Sequence, residues 1–250
     1  MRRLAPALAL AIVVLAAPAA PASSPNALWR VVHELCVTDM KISGLPAPCL
    51  AVDLRGGWAA LKDLKGRTQV LLIPTRRTTG IESPALLQPG APNYWQDAWY
   101  ARRYFERAAG REAPRQDIGM AINSRYGRSQ DQLHIHIDCV RGDVRDALAA
   151  HQDEIGEHWA PLVFTLQGKD YIARRLKGAE LDRRNPFKLL ARDGAARADM
   201  GAQTLAVIGA EFADGQPGFY LLAAKGGVPD NPDGASEELL DHDCAVLARP

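Results

Sequence analysis

The sequence has 250 residues, of which 47% are hydrophobic and 24% are charged, and its formal net charge at pH 7 is +1. This length suffices for one large domain, or for one domain with a substantial extension. The near balance of basic and acidic residues argues against a nucleic-acid partner, because nucleic-acid-binding domains usually carry a basic excess.

The first 22 residues have the features of an export leader. Arg2 and Arg3 precede an apolar run from Leu8 to Ala17, and Ala20-Pro21-Ala22 fits a small-residue cleavage site. The run is shorter than the ~20 apolar residues that span a membrane. We predict an exported protein in which residues 1–22 are a signal peptide or, if they are not cleaved, an N-terminal membrane anchor.

Four cysteines in an exported chain indicate disulfide bonds. They allow three pairings, and Cys36 and Cys49 flank a short loop that contains Gly44. We therefore predict the pairs Cys36–Cys49 and Cys139–Cys244, of which the second would tie the C-terminus to a central strand. Buried free thiols are the alternative. A zinc site is disfavoured because no two cysteines have the C-x-x-C spacing.

Helical and strand patterns alternate along the remaining chain. Predicted helices cover residues 28–36, 94–109, 143–151, most of 169–193 and 235–247. Predicted strands cover residues 57–64, 68–73, 118–123, 132–140, 204–212 and 219–225, with hairpins in the first and last pairs. Asn93 is predicted to cap the second helix and Gly110 to end it. Interspersed helices and frequent hairpins predict an α+β fold around an antiparallel sheet.

The strand over residues 132–140 places four polar side chains on one face, because side chains alternate across a strand. These are Gln132, His134, His136 and Asp138. A solvated surface row is one interpretation. A zinc site is the second, since H-x-H-x-D can chelate a metal. The third is attack on phosphorus by a neutral histidine, which forms a covalent intermediate.

The segment NSRYGRSQDQLHIHIDCVR, residues 123–141, favours the third interpretation. It resembles the histidine-triad superfamily of nucleotide hydrolases and transferases, whose H-φ-H-φ-H-φ-φ pattern (φ apolar) follows a glycine-containing turn. The resemblance puts Gln132 at the first histidine position, His134 at the nucleophile and His136 at the third position. It also implies that Ser129, five residues before the nucleophile, contacts the phosphate or the leaving group.

A more specific resemblance covers nearly all of the chain after the leader, including the four cysteines. The segments that carry it are LKDLKG, QVLLIPTRRTTGIESP, APNYWQDAW, AINSRYGRSQ, HIHI, CVRGDVR and EELLDHDCAVL. They are similar to the CDP-diacylglycerol pyrophosphatase family, a membrane-associated branch of the superfamily. The resemblance implies a single histidine-triad-like domain over residues 23–250, with a catalytic core at about 28–150 and a C-terminal α/β extension at about 151–250.

The family implies hydrolysis of the nucleotide-lipid CDP-diacylglycerol to CMP and phosphatidate through a cytidylyl-histidine, with no metal and no cofactor. We expect the protein at the bacterial inner membrane facing the periplasm, or in the periplasm if the leader is cleaved. A homodimer stays open. The sequence shows no strongly basic amphipathic helix that would bind a membrane surface.

We predict that His134 is the nucleophile and that His136 donates to a phosphate oxygen, with Ser129 and Gln132 completing the catalytic group. Gln132 departs from the triad, because an amide cannot act as an acid. The predicted substrate-binding residues are Thr75, Arg77, Trp95, Asn123 and Arg128. The alternatives are a broader nucleotide-diphosphate hydrolase, a metal-dependent hydrolase that uses His134, His136 and Asp138, and a non-catalytic binding protein.

Overall fold

One antiparallel sheet dominates the computed structural model, which describes residues 24–248, so that the predicted leader at residues 1–22 lies outside the described residues. The strands are β1 (Ala51–Asp53), β2 (Trp58–Lys62), β3 (Val70–Pro74), β4 (Ile118–Ile122), β5 (Ile135–Val140), β6 (Ala160–Pro161), β7 (Ile172–Lys177), β8 (Gln203–Glu211), β9 (Pro217–Lys225) and β10 (Leu240–Asp241). Their spatial order is β1-β2-β3-β5-β4-β8-β9-β7-β6, and β10 pairs with β5 beyond the end of β3. The predicted α+β class and antiparallel sheet are confirmed.

Within residues 24–248, six α-helical segments accompany the sheet. They are α1 (Ala27–Arg30), α2 (Val37–Ser43), α3 (Tyr94–Ala109), α4 (Gly142–Ala150), α5 (Pro186–Leu190) and α6 (Gly194–Ala198), and a π-helical segment, Val31–Cys36, joins α1 to α2. The N-terminal helix therefore runs beyond its predicted end at residue 36. α3 has its predicted range and ends at Gly110, whose φ of 76° is a left-handed conformation that suits glycine. Asn93 makes no capping bond; its Nδ2 donates to Leu181 O at 2.6 Å instead.

Both faces of β5 are buried, and they differ in chemistry. Ile137 points into the largest apolar cluster, together with Trp95 of α3. His136 lies on the opposite face, and its cross-strand partners there are Leu71 of β3 and Ala121 of β4. Leu71 belongs to the apolar cluster under the N-terminal helix, and Ala121 belongs to the cluster under α4. We call the side chains of His134, His136 and Asp138 the histidine row. On this face of the sheet, the row lies between two apolar clusters.

The two predicted disulfide bonds are present. Cys36–Cys49 closes the N-terminal helix onto the segment that leads into β1, and Cys139–Cys244 joins β5 to a residue 105 positions later. Disulfides of this kind are typical of extracellular and periplasmic proteins. Among the helices that the structure describes, none has the length and apolar character that a membrane crossing requires.

The helical prediction for most of residues 169–193 is wrong. Ile172–Lys177 is strand β7, which pairs with β9 from Ile172↔Ala223 to Lys177↔Gly218. Leu, Ala, Arg and Lys are good helix formers, but intrinsic propensity is weak and pairing with an adjacent strand overrides it. The helical part of this range is α5, which begins after Asn185, whose Oδ1 accepts a capping bond from Phe187 N at 3.0 Å.

The predicted closing helix at residues 235–247 is also wrong. The segment forms two 3₁₀ turns, Ser236–Leu239 and Ala245–Leu247, on either side of strand β10. Ser236 Oγ donates to Ile122 O at 3.0 Å, and β10 pairs with β5. Tertiary hydrogen bonds and the disulfide at Cys244 hold this C-terminal segment across the sheet in place of a helix.

Candidate active site

One ring nitrogen of His134 is fixed by the segment that leads into β5. Its Nδ1 lies 2.7 Å from the carbonyl oxygen of Gln132, so Nδ1 carries the proton and donates to that oxygen. The Nε2 atom then presents its lone pair. Burial, opposed by this backbone bond, lowers the pKa of His134 from its ordinary value. The neutral imidazole with a free Nε2 is the form that a nucleophilic histidine requires.

His136 lies beside His134 with its ring nearly perpendicular, and the ring centroids are 4.9 Å apart. The Gln69 amide donates to Nδ1 of His136, which leaves the proton on Nε2. This Nε2 is buried and has no hydrogen-bond partner among the described residues. Burial, reinforced by His134, lowers the pKa of His136 to about 3. His136 is therefore a neutral donor at neutral pH, with an N–H that a ligand can accept from.

Two carboxylates surround the Nδ1 side of His136. Glu237 Oε1 lies 3.5 Å and Asp63 Oδ2 lies 3.9 Å from Nδ1. The Gln69 amide nitrogen also lies 3.0 Å from Asp63 Oδ2 and 3.2 Å from Glu237 Oε1, so its two hydrogens are shared among three acceptors. Asn123 fixes Glu237 twice, by donating to its carboxylate at 3.0 Å and accepting from its backbone N–H at 3.1 Å.

His242 links these groups to the end of the histidine row. Its Nδ1 lies 2.9 Å from Asp138 Oδ2, and its Nε2 lies 3.4 Å from Glu237 Oε1. Hydrogen bonds to Asp138 and Glu237 raise the pKa of His242 to about 9. Burial alone would raise the pKa of Glu237, but hydrogen bonds from His242, Gln69 and Asn123 lower it. His242 is thus a cation bound between two carboxylates.

Asp138 does not face the same space as His134. Its Oδ1 accepts from Thr68 Oγ1 at 2.6 Å and from Cys139 N at 3.0 Å, while Oδ2 pairs with His242. The predicted H-x-H-x-D ligand set is therefore not assembled. Asp63, His136 and Glu237 are close enough to share a metal ion, but the Gln69 amide nitrogen contacts all three of them. That donor fills the position a cation would take.

Gln132 is fully buried, and both the nitrogen and the oxygen of its side-chain amide are hydrogen-bonded to residues 74–78. Its Nε2 donates to Pro74 O at 2.9 Å and to Arg76 O at 3.0 Å. Its Oε1 accepts from Thr78 N at 3.2 Å. In this structure Gln132 holds the loop after β3 and, through its backbone, orients His134.

The predicted substrate-binding residues are distributed unevenly. Arg128 is close enough to disfavour protonation of His134, and it pairs with Glu82 at 2.7 Å. Ser129 and Arg77 are exposed, and the Arg77 guanidinium donates to Asn26 and lies over the ring of Trp29 in α1. Thr75 is partly buried at the end of β3. The structure does not bring Trp95 to the histidines: it is fully buried in the core on the other face of the sheet.

Sequence reasoning missed four polar groups around His136: Asp63, Gln69, Glu237 and His242. A signal for His242 was present. It lies two residues before Cys244, and the predicted Cys139–Cys244 pair already brought that segment to β5. No comparable signal marked Glu237, since its contact with Asn123 joins residues 114 positions apart.

A buried pair of neutral histidines within a polar group on an antiparallel sheet is the arrangement of a histidine-based hydrolase. The profile of the family described as CDP-diacylglycerol pyrophosphatase matches residues 23–248. This chain belongs to that family. A CDP-diacylglycerol pyrophosphatase of Yersinia pestis is 43% identical over 226 residues, which is 90% of this chain and 86% of that protein.

A solved structure is also similar. The DUF4931 family protein BCE0241 from Bacillus cereus ATCC 10987 has a TM-score of 0.42 and 12% sequence identity to this chain. The aligned part covers 71% of this chain and 84% of that one.

Proposed function

We propose that this protein, a hydrolase of the CDP-diacylglycerol pyrophosphatase family, cleaves the pyrophosphate bond of CDP-diacylglycerol through a cytidylyl-His134 intermediate. The products are CMP and phosphatidate. The observation that carries the intermediate is the 2.7 Å bond from His134 Nδ1 to the Gln132 carbonyl, which leaves Nε2 unprotonated.

In the first step Nε2 of His134 attacks the phosphorus that bears cytidine, and the bond from this phosphorus to the bridging oxygen breaks. Phosphatidate leaves with the bonding electron pair. Its phosphate is a stable anion, so departure needs no strong acid, in keeping with glutamine at position 132. The positive charge that develops on the imidazole is stabilised by the Nδ1–H bond to the Gln132 carbonyl.

In the second step water attacks the same phosphorus, and the P–N bond breaks. His134 returns to its neutral form with the proton still on Nδ1, and the proton lost by water leaves with CMP or solvent. His136 donates its Nε2–H to a phosphoryl oxygen in both steps. Arg128 disfavours protonation of His134 and is proposed to oppose the charge of the diphosphate, while His242 offsets the charges of Asp138 and Glu237 beside His136. Ser129, Arg77, Thr75 and Asn123 are proposed to line the path of the substrate, as outer contacts.

The reaction requires a protein that meets a membrane lipid. We propose that it faces the periplasm at the inner membrane, with the leader at residues 1–22 as the anchor or as a cleaved signal. The two disulfides and the substrate class support this location. A homodimer is not needed for the chemistry, because the nucleophile and its supporting groups come from one chain.

The experiment is an acid quench of full-length protein mixed with CDP-diacylglycerol that is labelled in the cytidylyl phosphate, with EDTA present. We expect a labelled peptide that contains His134. His134→Asn should abolish the adduct and lower kcat by about 10⁴- to 10⁶-fold. The matched variant His136→Asn should form the adduct about 10²- to 10³-fold more slowly, because one donor to the phosphoryl oxygen is lost.

Two outcomes would contradict this mechanism. Folded His134→Asn protein that keeps near-normal turnover would exclude a covalent role for that residue. Activity that EDTA abolishes and Zn²⁺ or Mn²⁺ restores would favour the second candidate, a metal-assisted hydrolase that uses Asp63, His136 and Glu237. In that case Gln69 would have to move from the position it occupies.

A further inference from the structure

Exposed apolar side chains are concentrated in one part of the molecule. The described chain has nine exposed large apolar side chains, and five of them lie between residues 35 and 54. Ile42 is 81% exposed, Leu45 65%, Leu35 50% and Leu50 42%. Single exposed leucines are ordinary, but a cluster of this kind marks an interaction surface.

These four residues lie together around the Cys36–Cys49 disulfide. Leu35 and Leu50 each adjoin one of the bonded cysteines, whose Cα atoms are 5.6 Å apart. Ile42 follows Leu35 by seven residues, about two helical turns, so the two lie on the same side of the helix. Leu45 follows directly after Gly44, which ends α2. We call Leu35, Ile42, Leu45 and Leu50 the apolar patch.

The helix that carries the apolar patch also borders the candidate active site. Leu28 N donates to Gln130 Oε1 at 2.8 Å, and Asp131 N donates to Pro25 O at 2.7 Å. Gln130 and Asp131 precede His134 by only a few residues. The helix is about 25 Å long, because 17 residues rise about 1.5 Å each. Leu35 follows Leu28 by seven residues, about 10 Å along the helix, so the patch begins about two helical turns from this contact. The helix packs on Leu71, so the patch lies on the same face of the sheet as His136.

We infer that the apolar patch docks on the surface of a phospholipid bilayer and so presents the histidine row to a lipid substrate. This inference rests on the proposed function. Three features select a bilayer as the occupant: the substrate class is a membrane lipid, the helix that carries the patch contacts the segment before His134, and the predicted leader precedes this helix in the sequence.

Charge near the patch is balanced. The helix carries the exposed residues Arg30 and Lys41 and the exposed residues Glu34 and Asp39. Docking should therefore depend on apolar contact and should respond little to salt or to the fraction of anionic lipid.

The test uses the full chain with two substrates: long-chain CDP-diacylglycerol in phosphatidylcholine vesicles, and a short-chain CDP-diacylglycerol dispersed as monomers. The double variant Ile42→Ser, Leu45→Ser should lower kcat/KM on vesicles by about 10-fold or more, from the lost apolar area, and leave it unchanged on the dispersed substrate. Val163→Ser is the matched control, since Val163 is 75% exposed but lies near the opposite edge of the sheet. It should alter neither rate.

Hydrogen exchange gives a second readout that does not depend on catalysis. Amides over residues 35–50 should gain protection when phosphatidylcholine vesicles are added, and the double variant should lose that gain. Three results would overturn the inference: equal loss on both substrates, no loss on vesicles together with unchanged exchange, or a wild-type dimer that the double variant dissociates. Failure of the wild type to hydrolyse either substrate would instead contradict the proposed function. The hydrogen-exchange result would still test whether the apolar patch binds the bilayer.

Discussion

Three histidines lie in or beside one polar group, and their surroundings give them different protonation states. His134 and His136 are buried and neutral, because desolvation disfavours the cation. His242 lies between Asp138 and Glu237, where the cation is favoured. Opposite shifts of neighbouring titratable groups are typical of functional sites. One type of side chain is thus present in three forms: neutral His134 with its proton on Nδ1, neutral His136 with its proton on Nε2, and cationic His242.

His242→Gln is expected to lower the free energy of unfolding by about 1–3 kcal/mol at pH 7, because buried Asp138 loses its cationic partner and water screens only part of that pair. Folding raises the pKa of His242 from 6.5 to about 9. Its contribution is complete below pH 6.5, decreases as the pH rises, and is lost above pH 9. Denaturant unfolding of the wild type and His242→Gln between pH 6.5 and pH 9 should show that the difference between their free energies of unfolding decreases.

The matched control is His158→Gln, since His158 is exposed. Its unfolding free energy should follow that of the wild type at every pH. A difference between His242→Gln and wild type that stays constant up to about pH 10 would show that the ionised form of His242 does not stabilise the fold.

At the scale of elements, the end of β3 and the loop after it depend on the segment before β5 through one side chain. Gln132 makes two buried hydrogen bonds and one partly buried one, to Pro74 at the end of β3 and to Thr78 and Arg76 of the loop. This explains why an amide stands where the superfamily pattern has a histidine. An imidazole has two nitrogens and, when neutral, one donor. It cannot replace an amide that donates twice and accepts once.

Gln132→His is therefore expected to reduce activity even though it restores the triad pattern. Loss of the buried hydrogen bonds should cost about 2–4 kcal/mol of unfolding free energy and displace the carbonyl that orients His134. The neighbouring Gln130→His removes one partly buried bond and should cost about 1 kcal/mol. Denaturant unfolding and kcat measure both effects. A kcat of Gln132→His above that of the wild type would show that a histidine acts better at this position and that the hydrogen bonds of Gln132 are not required for activity.

The sequence predicted elements well where local pattern decides the structure. α3 and the β8–β9 hairpin were predicted because apolar spacing and a polar turn are sufficient there. β7 was missed because its residues favour a helix and only the neighbouring β9 makes them a strand. The closing segment was missed because its conformation depends on contacts with β4 and β5.

The residues of the candidate site could likewise be predicted where a local pattern places them, and could not be predicted where tertiary contacts do. The alternation that places His134 and His136 on one face is a local property of a strand, and it can be predicted from residues 132–140 alone. The partners of His136 come from the connection between β2 and β3 and from the C-terminal segment. Which of these meet depends on strand order, and no sequence pattern specifies that order. Trp95 was assigned to the substrate because an aromatic in a helix does not reveal which face of the sheet it covers.

At the scale of the whole molecule, the C-terminal extension is part of the site. Strands β7, β8 and β9 continue the same sheet beyond β4, and the chain then returns to β5 through β10. Glu237 and His242 lie on that return, between β9 and Cys244. The Cys139–Cys244 bond fixes the end of the return next to Asp138. Stability of the extension and geometry of the histidine row are therefore coupled.

Loss of the two disulfides should have different consequences. In the chain-entropy account, a closed loop of 105 residues stabilises by about 4.7 kcal/mol and one of 13 residues by about 2.9 kcal/mol. Cys139→Ala with Cys244→Ala should therefore lower stability more than Cys36→Ala with Cys49→Ala. It should also lower kcat on a dispersed substrate, because Glu237 and His242 lose their anchor. The N-terminal pair should keep kcat on that substrate and lose activity on vesicles.

Denaturant unfolding and the two-substrate assay on both double variants separate these effects. The N-terminal disulfide supports the apolar patch and stands apart from the histidine row, whereas the C-terminal disulfide supports the row and stands apart from the patch. Equal loss of activity on the two substrates in both variants would show that the bonds only stabilise the fold. Loss on vesicles alone in the N-terminal variant, together with loss on both substrates in the C-terminal variant, would show that one sheet holds two separable functions, a surface that meets the bilayer and a site that cleaves the lipid.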